Sequence, residues 1–105
     1  MSFFAGNPGR PLNISAHKQD ERSMELKWTH PHFSGGVPID RYDITVSPAP
    51  HDGVCRGGNC NVSGTNITLK GLACLSYNIT IRANNCAGQS SFISLLTTSK
   101  IYCHE

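Results

Sequence analysis

The 105-residue sequence has no apolar run long enough to span a bilayer as a helix, so none of its stretches reads as a membrane segment. Charge is also sparse. Charged residues make up 15%, and nine basic against seven acidic residues leave a net charge of +2. The Lys and Arg residues are scattered, with no stripe of the kind that grips nucleic acid or an anionic membrane surface. No nucleophile stands with a base, no glycine-rich loop fits a phosphate, and no zinc-hydrolase helix is present. Asp40, Asp43 and Glu25 fall on outward strand positions as solvated carboxylates. The expectation is therefore a non-catalytic chain without a cofactor or metal. Residues 1–8 lack the apolar core of a signal peptide. That favours an added Met1 and a segment cut from a longer protein.

What is present points to folding in an oxidising compartment. Apolar residues, 38% of the total, are spread along the whole length, unlike those of a disordered segment. Five cysteines, at positions 55, 60, 74, 86 and 103, are many for a small cytosolic domain and ordinary for a secreted one. Four acceptor sequons for N-glycosylation, at Asn13, Asn61, Asn66 and Asn78, exceed the one or two that chance supplies at roughly this composition. Both marks predict an extracellular or cell-surface location.

The periodicity is that of strands. Residues 1–10 are rich in Gly, Pro and Asn and read as a linker. Leu12, Ile14 and Ala16 then alternate with polar neighbours. Met24, Leu26 and Trp28 alternate with Glu25, Lys27 and Thr29, and Tyr42, Ile44 and Val46 with Asp43 and Thr45. A short strand is expected near Asn61–Ser63 and another at Ile67 and Leu69. Tyr77, Ile79, Ile81 and Ala83 face opposite to Asn78, Thr80 and Arg82. The last strand spans about 91–98, with Phe92/Leu96 and Ile93/Leu95 both candidate inward sets. Seven short strands and no helical period predict an all-β, seven-stranded antiparallel β-sandwich.

Four features in order resemble a fibronectin type III domain across residues 11–99. They are Pro11-Leu12-Asn13-Ile14, Trp28 followed by Pro31, Pro38-Ile39-Asp40-Arg41-Tyr42, and Leu72…Tyr77-Asn78-Ile79-Thr80-Ile81-Arg82-Ala83-Asn84 leading to Gly88-Gln89-Ser90. The resemblance implies an immunoglobulin-like sandwich with a domain at 11–100, a tail at 101–105, and a core signature of Trp28, Tyr42, Leu72 and Tyr77. It implies a corner in which the Tyr77 hydroxyl bonds backbone. Here the gap from Leu72 to Tyr77 is one residue shorter than the family's usual spacing and lacks its usual Pro. No Arg-Gly-Asp tripeptide or Trp-Ser-x-Trp-Ser motif occurs, so the roles tied to those motifs do not transfer.

The topology implied by the resemblance also arranges the cysteines. Cys74 and Cys86 would flank one strand at opposite poles, too far apart for the roughly 6 Å that a disulfide tolerates between Cα atoms. Cys55 and Cys60 enclose a flexible Arg56-Gly57-Gly58-Asn59 loop and form the first-choice pair. Cys74 with Cys103 is the second choice, which leaves Cys86 free or paired with another chain. Cys60 with Cys86 is the rival. Zinc held by these cysteines with His17, His30, His32, His51 or His104 competes weakly, because no paired short-spaced ligands occur.

The expected function is a protein-binding, adhesion or receptor module of a larger multidomain protein. The resemblance implies partners that are a protein ligand or neighbouring domains, met through His32, Phe33 and Val37 in one loop and Asn85 and Gln89 in the turn over 84–90. The alternative is a passive glycosylated spacer.

Overall fold

The alternating segments become seven strands in a computed structural model that describes residues 6–20, 22–73 and 75–98. In chain order these are β1 (Leu12–Asp20), β2 (Ser23–Thr29), β3 (Arg41–Ser47), β4 (Asn59–Val62), β5 (Asn66–Leu69), β6 (Ser76–Asn85) and β7 (Gly88–Thr98). A 3-10 turn, Arg56–Gly58, precedes β4. Two antiparallel sheets result, one ordered β1-β2-β5 and the other β4-β3-β6-β7. Cys74, Cys103 and the expected tail lie outside the described residues, as does the second-choice Cys74–Cys103 pair.

Strand alternation places one side chain in two between the sheets. Met24, Leu26 and Trp28 from β2 and Ile67 and Leu69 from β5 meet Tyr42, Ile44 and Val46 from β3 and Tyr77, Ile79, Ile81 and Ala83 from β6. All are buried. Trp28 sets its ring edge against Tyr42 across the interior, with centroids 5.5 Å apart and planes at 69°, an arrangement the ring quadrupoles favour.

The corner expected at Tyr77 closes despite the shortened gap. The Tyr77 hydroxyl accepts the Ala73 N–H at 2.7 Å, and Leu72, which is buried, donates its own N–H to the Arg22 carbonyl at 3.0 Å. The register of β6 with β7 settles the facing of the last strand. Ile79 pairs with Leu95 and Ile81 with Ile93, so these two turn inward, while Phe92 and Leu96 are 46% and 75% exposed.

The strand near 61–63 begins earlier, at Asn59, and the last hairpin also departs from the sequence expectation. The turn read over 84–90 is mostly strand, because β6 continues through Asn85 and β7 begins at Gly88. Only Cys86 and Ala87 remain between them. The expected linker also has a structural role in its described part. Gly6 donates to the Gly35 carbonyl and Gly9 to that of Phe33, both at 2.8 Å, and Pro8 is buried. Gly35 has a positive φ of 89°, and a Cβ there would collide with the Gly6 carbonyl. Only glycine suits that position.

Candidate loop surface at one pole

The two sheets bring three segments to one end of the sandwich. Arg41 at the start of β3 pairs with Asn84 near the end of β6, and Leu12 at the start of β1 pairs with Thr29 at the end of β2. The loop over 30–40, the segment before β1 and the Cys86-Ala87 turn therefore share a pole.

Asn85 ties them together. Its side-chain amide donates to the carbonyls of Gly6 at 2.7 Å and Ser34 at 2.8 Å. Its oxygen accepts the N–H groups of Ala87 at 2.8 Å and Gly88 at 3.0 Å. All four hydrogen-bonding positions of the amide are used. Asn85 is only 7% exposed. The sequence expectation of Asn85 as a contact residue is thus corrected: strand continuation turns it inward, where it holds the loops.

The other contact candidates divide by exposure. His32 is exposed and Val37 half-buried. Phe33 is 60% exposed, although its carbonyl is fixed by Gly9 and the next residue's by Asn85. A rigid backbone thus holds an apolar ring in solvent. Gln89 is exposed, and its amide donates to Asp43 Oδ2 at 2.9 Å. The same oxygen accepts from the Asn84 amide at 2.8 Å, while Arg41 Nε approaches Oδ1 at 3.3 Å. Asp43 is therefore the centre of a polar network, rather than the merely solvated carboxylate expected from alternation. It borders an open groove of about 400 Å³ on the outer sheet face, lined also by Asn59, Asn61, Thr80 and Arg82.

One contact carried no signal in the sequence. His30 Nδ1 hydrogen-bonds the Tyr42 hydroxyl, linking the first residue of the loop to the core. Burial pushes the Tyr42 pKa above its ordinary value of 10.0, so the hydroxyl keeps its proton at neutral pH.

At the other pole Cys55 and Cys60 form a disulfide, with Cα atoms 4.8 Å apart. That leaves the Cys60–Cys86 alternative without its first partner. Cys86 is exposed and unpaired among the described residues. The four sequon asparagines, Asn13, Asn61, Asn66 and Asn78, are all exposed. Asn13 sits in the left-handed region at φ 55° beside a β-bulge, and its amide donates to Thr29 Oγ1 at 3.1 Å. Among the described residues, no three His, Cys, Asp or Glu side chains are placed to hold a metal ion. No described helix is long and apolar enough to cross a membrane.

The arrangement matches known proteins. A family model for the fibronectin type III domain matches residues 9–99. Among solved structures, domains A168–A170 of titin superpose with a TM-score of 0.71 at 21% identity, covering 90% of this chain and 33% of that one. Domains d3–d4 of the rat CD45 extracellular region give 0.74 at 17% identity, covering 90% and 51%. The twitchin kinase region of C. elegans gives 0.70 at 24% identity, covering 90% and 17%. This chain thus spans from about a sixth to about half of these multidomain relatives. The matched span, the paired sheets and the Trp28 and Tyr77 framework agree: the chain belongs to the fibronectin type III domain family.

Proposed function

We propose that the chain is a non-catalytic, extracellular protein-binding module of a multidomain protein, and that it meets its partner at the pole built by Asn85. The family is generally non-catalytic, and it occurs both in extracellular regions such as that of CD45 and in the intracellular proteins titin and twitchin. The Cys55–Cys60 disulfide and the four exposed sequon asparagines favour the extracellular setting.

Phe33 is the observation that carries the binding role. An aromatic side chain 60% exposed on a loop pinned at successive carbonyls loses little entropy on contact, and it offers the kind of anchor that dominates interfaces. The expected result of Phe33→Ala is loss of binding to the surface of partner-bearing cells, measured by flow cytometry. The melting midpoint should stay within about 3 °C, since exposed side chains usually contribute under about 0.5 kcal/mol. Parallel losses of binding and stability would make Phe33 a core residue instead.

A passive spacer is the second reading, favoured by Asn78. This sequon residue is exposed on the outer face of β6, beside Leu96 of β7. A glycan there would cover part of the four-stranded sheet. In that case neither the unaltered chain nor the Phe33 variant would bind any cell.

A further inference from the structure

Every sandwich with open sheets has edge strands, and native domains blunt them with short length, charge, proline or bulges. Three of the four edges here follow that rule. The strands β4 and β5 have four residues each. The strand β1 carries His17, Lys18 and Asp20 and is broken by register shifts near both ends. The fourth, β7, does not. Its eleven residues, GQSSFISLLTT, contain no charge and no proline. Its one irregularity lies at the hairpin end, so pairing with β6 is regular from Phe92 to Thr98. The strand β1 passes beside β7 but belongs to the other sheet, and β7 is the end strand of its own, following β6.

We propose that this edge joins two copies of the chain, β7 against β7 in antiparallel register about a two-fold axis at Ser94. The side-chain pattern selects both the occupant and the register. Centred on Ser94, outward Phe92 of each copy lies opposite Leu96 of the other, and inward Ile93 lies opposite Leu95. These four central pairs are apolar, Ser94 meets its own copy on the axis, and an uncharged strand meets its copy without like-charge repulsion. Shifting the centre to Leu95 sets Phe92 against Thr98 and Leu96 against Ser94, which discards that match. The outward side chains, Phe92 at 46% and Leu96 at 75% exposed, gain an apolar partner in the first arrangement and a polar one in the second. A single pair of strands buries less than a standard interface of about 1,600 Å², so the association is weak and reversible.

The test is sedimentation of the whole chain, made without glycans so that no sugar on Asn78 adjoins Leu96, and with free thiols alkylated so that Cys86 cannot cross-link. The mass should rise from one chain toward two between about 10 µM and 1 mM. Ser94→Lys and Ser94→Glu, at an exposed position, should each keep the thermal midpoint and stay single chains, because like charges then face each other. An equimolar mixture of the two should restore the pair. A single-chain mass for the unaltered protein up to about 1 mM would overturn the proposal. So would self-association of the Lys variant, or failure of the mixture to recover.

Discussion

Trp28→Ala is expected to lower the melting midpoint by roughly 15–30 °C, corresponding to about 3–5 kcal/mol. The side chain is 3% exposed and crosses from β2 to the opposite sheet, where it meets Tyr42 edge-on. Truncation leaves a cavity walled by strands of both sheets, which cannot collapse without breaking ladder bonds. A domain of this size has about 5–15 kcal/mol in total, so the variant is near the limit of folding. Trp28→Phe should cost distinctly less. It keeps an aromatic ring in place and removes an indole N–H that meets no acceptor among the described residues. Thermal denaturation followed by circular dichroism measures both.

The second large effect belongs to Asn85→Ala, at about 2–4 kcal/mol. Four hydrogen bonds disappear together, and two carbonyls and two N–H groups lose their partner. Water can reach some of these groups near the surface, which keeps the loss below the sum of four buried penalties. The damage is localised as well. The amides of Gly6 and Gly9, whose acceptors are Gly35 and Phe33, should exchange faster with solvent deuterium, while those of β3 and β6 change only through global stability. A change below about 0.5 kcal/mol with unaltered exchange would remove Asn85 as the tie.

These two residues show where the sequence is legible. Trp28 lies on a segment with one face wholly apolar and the other wholly polar, so period-2 alternation alone directs it inward. The run from Tyr77 to Ala83 is readable for the same reason. The strand β7 is not, because apolar residues occupy both faces, and only its register with β6 separates Ile93 and Leu95 from Phe92 and Leu96. The Cys55–Cys60 pair is local, and a short glycine-containing loop announces it.

Asn85 carried no local signal. Its two acceptors lie 79 and 51 residues away in the chain, and an asparagine near a hairpin reads as a turn residue unless those distant carbonyls are known to be there. The polar network at Asp43 was hidden likewise, since its donors Asn84 and Gln89 lie 41 and 46 residues further on. Fold was therefore written in alternation, while the loop architecture depends on non-local hydrogen bonds.

The proposed extracellular setting of this disulfide-closed module is tested most directly by peptide mapping with mass spectrometry. The protein should be secreted from eukaryotic cells and its free thiols alkylated before digestion. The expected result is a peptide pair linked through Cys55 and Cys60, an alkylated or externally bonded Cys86, and sugar on one or more of Asn13, Asn61, Asn66 and Asn78. Alkylated Cys55 and Cys60 together with four bare sequons would contradict it.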